Sequence, residues 1–438
     1  MKKINPRIGF CLVQNKFEVG ADRSKEIYDQ AVKEFSKYNN IDFFPFCEFV
    51  DNDERAVQAG DFFYEKKIDL LLCIESTWSN DNYVIDILEY TNAPLVLWAM
   101  PGMETGSLCG FHQLGVVLHE LDRKHEIFYG PVNDKNIQKK IITFAKAAGL
   151  KNYLRKSKLG LIGYRVRGMT EVAFDELELK RKFGPGIIHF GINNILDGVK
   201  SISNREAEET WLEIKKSGAK ISVSDSDGLI SVKNYLLLKK LANENNLNGF
   251  AVECYPEIMG QVCLAASLLA RENIVIGCEG DVNSTMGMLI LDYLTGLPVH
   301  NTDLLDPDSK NSIIFSHCGS GDFSISKDIN EIELCPVRLL QCGVCVKFLP
   351  KLGEVTLLNI VGRRDTYRIS ALDAYSQETG MVFPGNPLSA RFNISVEKFL
   401  DIVSKNSIGH HWIIGYGNVL EELKYFTGLV DVKIVEFA

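Results

Sequence analysis

Short apolar runs alternate with helix-length stretches through the first two thirds of this chain. Ile8 to Val13 precedes a helical stretch from Arg23 to Lys37, Ile41 to Pro45 precedes one from Glu54 to Lys66, and Ile68 to Ile74 precedes one from Asp81 to Thr91. That order predicts a parallel sheet with helices on its faces. Pro94 to Ala99 then leads into a loop containing Pro101, Gly102, Gly106 and Gly110, and on to a helix from Phe111 to Leu121. Such folds place ligands in the loops at strand C-terminal ends. A basic stretch, Lys151 to Lys158, reads as a linker. Beyond it, Leu159 to Gly163, Ile187 to Gly191, Ile221 to Ser224, Gly249 to Cys254 and Ile274 to Cys278 repeat the rhythm. From about Leu304 the β-like runs crowd together, Asn311 to Phe315, Val355 to Val361 and Thr366 to Leu372 among them, which predicts a barrel or sandwich. The expected class is α/β: two doubly wound Rossmann-like α/β domains, residues 1–150 and 151–303, then a C-terminal β-rich, barrel-like domain, residues 304–438.

With 438 residues the chain exceeds what one hydrophobic core usually supports, and 46% hydrophobic with 24% charged residues excludes disordered and fibrous classes. A formal net charge of −9 argues against a broad phosphate-binding surface, so DNA and RNA are not expected partners. No run reaches the roughly 18 apolar residues that a membrane helix needs. No cleavage pattern follows Ile8 to Val13, and a cytoplasmic protein is expected. The 11 cysteines sit mostly inside apolar runs, as reduced core residues do, and the C-x-x-C of Cys342 and Cys345 lacks the second ligand pair of a structural zinc site. Phosphate-loop, dinucleotide and nucleophile-elbow motifs are absent, which removes support for nucleotide hydrolases, Rossmann dehydrogenases and serine hydrolases.

Chemistry gathers at two strand ends. The run from Gly249 closes with Glu253 and Glu257, and the run ending in Cys278-Glu279-Gly280-Asp281-Val282-Asn283 closes with Glu279 and Asp281. Adjacent parallel strands would crowd these four carboxylates together with no Lys or Arg among them, and a divalent cation relieves their repulsion. Such oxygen-rich ligands suit Mn²⁺ or Mg²⁺, with an imidazole as a further ligand. The plainer reading of Asp281 is a cap for the helix that follows. Imidazole candidates among the 8 histidines are His410 and His411, between Gly409 and Trp412, and His317, just after a strand. On a regular strand the rings of His410 and His411 point to opposite faces, leaving at most one on a metal. His112 and Gln113, at a strand-to-helix junction of the first domain, are candidates for substrate contact.

Together these residues resemble the L-fucose isomerase and L-arabinose isomerase superfamily, in its shorter fucose-isomerase-like branch. The resemblance rests on the separation of Glu257 from Asp281 in Cys278-Glu-Gly-Asp-Val-Asn283, on the strand end at His317, and on Gly409-His-His-Trp412 with Tyr416-Gly-Asn418 after it. It implies a metal-dependent aldose–ketose isomerase in which Glu257 and Asp281 bind a divalent ion, usually Mn²⁺, together with His411, His410 staying open for that place. The same two carboxylates would shuttle a proton through a cis-enediol, while Asn283, His317 and His410 hold substrate hydroxyls. Arabinose isomerases use a Glu at the Glu-Gly-Asp position, so Glu253 and Glu279 stay open as ligands. A homo-oligomer, trimer or hexamer, is implied, with the first domain of one subunit bringing His112 and Gln113 to a neighbour's site. Sugars handled across the family include fucose, arabinose and modified hexoses such as sulfoquinovose. Arg165 and Arg167 are the cationic candidates for an anionic sugar, against a plain surface role. A sugar-binding, receptor-like protein without a metal, and a metal-dependent sugar epimerase or aldolase, are the competing readings.

Overall fold

The computed structural model describes residues 4–308 and 311–437. Two compact units divide the chain, one over Ile4–Asn152 and a second beginning at Tyr153. In the first, β1 (Arg7–Val13), β2 (Asp42–Pro45), β3 (Leu70–Glu75), β4 (Leu95–Ala99) and β5 (His125–Tyr129) form a parallel sheet in the order β2-β1-β3-β4-β5. β3 and β4 are buried along their whole length, as central parallel strands covered on both faces must be. Helices begin where the sequence offers a cap: the Asn52 side chain accepts a hydrogen bond from the Arg55 amide at the start of Asp53–Lys66. The stretch expected as a linker is the end of a helix, Lys135–Lys156. Lys, Arg and Leu are good helix formers, so a basic run without Pro continues a helix as readily as it leaves one.

The second unit opens with another parallel sheet. Its strands are β6 (Lys158–Ile162), β7 (Gly186–Phe190) and, after the two-residue β8 (Lys220–Ile221), β9 (Gly249–Val252) and β10 (Val275–Gly277), paired in the order β10-β9-β6-β7. The β-rich part follows with β11 (His300–Pro307), β12 (Ser312–Ser316), β13 (Glu333–Cys335), β14 (Cys345–Lys347), β15 (Gly353–Val361), β16 (Arg368–Gln377), β17 (Leu388–Arg391), β18 (His411–Tyr416) and β19 (Lys433–Val435). Six of these close a barrel: β15-β18-β11-β12-β17-β16 pair antiparallel in that order, and β16 pairs back to β15. Closure removes the exposed sheet edges that would invite aggregation. Trp412, Ile414, Phe315 and Leu357 join one buried cluster, while Ile413 and Leu358 face the helix Val282–Thr295 at Gly287. β8 pairs with β13, so the expected central and C-terminal domains share a sheet and lie in one compact unit. β11 starts earlier than the change of texture at Leu304, because His300-Asn301-Thr302-Asp303 shows no apolar alternation. All eleven cysteines are free, and no helix among the described residues is long and apolar enough to cross a membrane.

What positions the site is the turn after β10. The chain passes through Glu279 and Gly280, with φ of 64° and 70°, before Asp281 starts the helix Val282–Thr295. The loop after β6 lies directly on this turn: the Val166 amide donates to the Glu279 carbonyl at 3.2 Å, and a Cβ at Gly280 would fall on the Tyr164 carbonyl oxygen. Only glycine fits there. Gly280→Ala therefore combines a left-handed backbone with a backbone clash and is expected to destabilise the protein by about 3 kcal/mol or more, read as a lowered urea midpoint at unchanged m. A midpoint equal to wild type would show that the turn does not need this close approach.

Candidate active site

The turn after β10 and three barrel strands converge on one point. Asp281 is the N-cap of the helix Val282–Thr295: Oδ1 accepts from the Ser284 amide at 2.9 Å and Oδ2 from the Ser284 hydroxyl at 2.6 Å. The same Oδ2 lies 2.7 Å from Nδ1 of His411, the first residue of β18. A carboxylate accepts hydrogen bonds and donates none, so His411 carries a proton on Nδ1 and turns Nε2 the other way. Nε2 lies 3.0 Å from Glu279 Oε2 and 3.6 Å from Asp303 Oδ1. Asp303 arrives by register: on β11 it sits opposite His411 of β18 on one side and Ser316 of β12 on the other, and directly opposed residues share a sheet face. His317, the next residue after β12, brings Nε2 to 3.8 Å from the same Asp303 oxygen.

Glu279, His317 and His411 each offer a ligand atom within 4.8 Å of the others, and so do Asp303, His410 and His411. Both histidines are almost fully buried, and burial alone drives an imidazole pKa down. At His411 the hydrogen bonds to Asp281 and Glu279 overcome this and raise the value to about 10. At His317 burial is likewise overcome, by the charges of Cys318, Asp303 and Glu279, which hold it well above its ordinary value. Burial pushes Glu279 up, but the hydrogen bond from His411 and the positive charge of His317 leave its carboxyl below the usual range. Protons on the two imidazoles thus stand where a cation would neutralise the carboxylates. The donors fit such a cation. Asp303 Oδ1 and His317 Nδ1 are buried without a hydrogen-bond partner, and that orphaned oxygen faces the Nε2 atoms of both histidines. Mixed carboxylate and imidazole donors suit Mn²⁺ better than Mg²⁺.

Glu279, Asp303 and His317 open on a cavity of about 210 Å³ whose other walls include Met169, Met259, Val337, Leu339 and Phe383. Glu279 reaches it from a left-handed backbone, which costs a non-glycine residue about 1–3 kcal/mol and is typical of functional turns.

The structure redistributes the residues expected from sequence. Asp281 does cap its helix, and it orients His411 as well. Glu257 stands exposed on the loop after β9, outside both trios of ligand atoms. Glu253 accepts from the Tyr164 amide at 2.7 Å and pins the loop after β6. Of the four carboxylates, Glu279 is the one swung into the cluster, because the Glu279–Gly280 turn reverses its direction. His410 precedes the regular part of β18, so strand alternation does not separate the paired rings, whose centroids are 4.0 Å apart. His410 Nδ1 pairs with Glu171. Asn283 is buried, giving Nδ2 to the Gly362 carbonyl and receiving the Tyr367 hydroxyl on Oδ1. His112 and Gln113 are exposed on the helix Ser107–Glu120 of the first unit, where Gln113 receives Trp78 Nε1 and donates to Asp81. Asp303 and Glu171 escaped the sequence reading; Asp303 follows His300-Asn301-Thr302, a strand start without apolar alternation to mark it.

No protein-family model matches the chain. It is similar to the sulfoquinovose isomerase of Priestia aryabhattai, 23% identical over 414 residues covering 91% of this chain and 92% of the relative. The sulfoquinovose isomerase of Alkalicoccus urumqiensis is 21% identical over 379 residues, 82% of this chain and 84% of that one. The L-arabinose isomerase of Pediococcus pentosaceus is 20% identical over 354 residues, 74% of this chain and 73% of that one.

The His411 geometry gives the metal-free protein a defined pH response. The folded value of about 10 exceeds the unfolded value of about 6.5. Stability from this group is therefore fully present below about pH 6.5 and lost as pH rises towards 10. In chelator, denaturation midpoints at pH 6.5, 8 and 10 should fall more steeply for wild type than for His411→Gln, by a few kcal/mol across that window. Parallel profiles would mean that the imidazole is not bridging the two carboxylates.

Proposed function

We propose that this chain, which is related to the L-fucose/L-arabinose isomerase superfamily and carries this site, is a metal-dependent aldose–ketose isomerase acting on an open-chain sugar, whether fucose, arabinose or a modified hexose such as sulfoquinovose. The observation that carries the reading is the orphaned Asp303 Oδ1, facing two imidazole Nε2 atoms beside Glu279 at the wall of a sugar-sized cavity. Glu279, Asp303, His317 and His411 would hold the divalent ion, Mn²⁺ in preference, in place of the Glu257 and Asp281 pair that the family resemblance implied. When bound, that ion supplies polarisation of the sugar carbonyl and acidifies the adjoining C–H bond.

The chain's own groups do the rest. Asp281 keeps the Nδ1 proton on His411 and so keeps Nε2 aimed at the cluster, a positioning role. The carboxylate oxygen of Asp303 that the ion would leave free takes the proton from C2 as general base. The C–H electrons form the C1–C2 double bond of a cis-enediol, and the same carboxyl returns the proton to C1 while the O2 proton passes to O1. Met169, Met259, Val337 and Phe383 keep the cavity wall apolar, which limits water near the enediol. His410, held by Glu171 beside the cluster, would hold a substrate hydroxyl. The homo-oligomer, trimer or hexamer, that the family resemblance implies would let a second copy cover Tyr255 and Leu339, which are exposed at the cavity.

Incubating Mn²⁺-loaded protein with a panel of aldoses in D₂O should yield ketose carrying deuterium at C1; tight sugar binding with no isomerisation anywhere in the panel would support a receptor instead. Glu279→Gln and Asp303→Asn are expected to lose activity by about 10³-fold or more and to release the ion, while Glu257→Gln stays within about 3-fold on both counts. Loss of bound metal in Glu257→Gln would return that residue to the ligand set. Because the ion displaces imidazole protons, calorimetric metal affinity should rise between pH 6 and pH 8; a flat profile would contradict the His317 and His411 assignment.

A further inference from the structure

The isomerase reading leaves one charged side chain of the cavity without a role. Arg338 is the only Lys or Arg among the described residues that line it. Its guanidinium carbon lies 3.9 Å from the centroid of the Phe383 ring, so the planar group rests flat on an apolar wall. Among the described residues no carboxylate pairs with it, in contrast to Arg181, Arg205 and Arg271, which pair with Glu178, Glu209 and Asp322. Arg338 belongs to a fixed turn. The Val337 amide donates to the Cys342 carbonyl at 3.1 Å, the Gln341 amide to the Val337 carbonyl at 2.9 Å, and Gln341 Nε2 to the Arg338 carbonyl at 2.7 Å. Gly260 and Gly343, with φ of 76° and 64°, let this turn touch the backbone at Gly260 directly, so Arg338 stands exposed at the rim of the cavity on an anchored turn. Arg165 and Arg167, the cations noticed in the sequence, do not line the cavity.

The same space is therefore lined by acid and imidazole groups where a sugar carbonyl would bind and by a single uncompensated cation elsewhere. We propose that Arg338 is a specificity-determining residue that reads a singly charged anionic substituent, a sulfonate or carboxylate, on the part of the sugar remote from its carbonyl. This rests on the isomerase reading for the sugar's orientation. One guanidinium balances one negative charge, and its planar donors match two oxygens of such a group. A phosphate dianion would leave one charge facing the Met, Val, Leu and Phe wall, and a neutral sugar would leave the guanidinium with only the Phe383 ring.

The test compares 6-deoxy-6-sulfo-D-glucose, D-glucuronate, D-glucose 6-phosphate and neutral 6-deoxy-D-glucose with wild type, Arg338→Ala and Arg338→Lys. In Arg338→Ala, kcat/KM for whichever monoanionic sugar wild type prefers should fall about 10- to 100-fold, mainly through KM, while 6-deoxy-D-glucose changes less than about 2-fold. Arg338→Lys should recover part of the loss, and wild type should discriminate against the phosphate. An equal loss on charged and neutral sugars, or no loss on either, overturns the proposal. Calorimetry with the sulfonated alditol, which cannot isomerise, separates the two readings. Arg338-dependent binding without turnover of any sugar would sink the isomerase reading and leave this one standing. Turnover with alditol binding indifferent to Arg338 would sink this one alone.

Discussion

The hydrogen bond between His411 Nδ1 and Asp281 Oδ2, buried at 2.7 Å, is the contact on which the site depends. One end belongs to a helix cap and the other to a barrel strand, so the end of the parallel sheet and the barrel are registered against each other through a single carboxylate. The unpaired amides at the start of the helix Val282–Thr295 favour negative charge at Asp281. That charge keeps the proton on Nδ1, and the proton leaves Nε2 free to face Glu279 and Asp303. Helix capping, histidine tautomer and ligand direction are thus one interaction seen from three sides.

Around it, the barrel solves a packing problem that a polar cluster creates. β18 gives Trp412 and Ile414 to a large apolar cluster while His411 faces the site, and this follows from the two-residue period of a strand. Truncating a fully buried aromatic such as Trp412 costs about 3–5 kcal/mol, so the strand that carries the site is held mainly by its opposite face. Buried carboxylates and imidazoles need not stabilise the fold themselves. They are tolerated because each charge has a partner of opposite sign close by, and because the strain at Glu279 is over-determined by the Val166 and Gly280 contacts.

How much of the site was legible follows from what each residue's signal was. Glu279, Asp281, His317 and His411 stand in motifs at strand ends, where acidic and imidazole groups are conspicuous, and all four are in or beside the cluster. Their roles were not legible. The family resemblance favoured Glu257 with Asp281, whereas the direction of Glu279 is set by the left-handed turn there, which composition does not announce. Asp303 was hidden because its strand begins with His, Asn and Thr, and only its pairing partners, His411 and Ser316, reveal the face it occupies. Arg338 lies in an exposed turn with no pattern; its place on the cavity wall comes from contact with Gly260, distant in sequence.

At the level of the fold, the alternation of apolar runs and helix-length stretches was sufficient for the parallel sheets, since local periodicity decides element type and βαβ connections decide strand direction. Crowded short runs were likewise enough to mark a β-rich, barrel-like end. What they could not contain was closure: that β16 returns to β15, and that β8 leaves the central segment to pair with β13. Sequence by itself determined the kinds of element, the chemical types available and the broad class of chemistry, because these are properties of neighbouring residues. Tertiary structure alone decided which carboxylates meet which imidazoles, because those meetings, up to 132 residues apart along the chain, are made by strand register and one reversed turn.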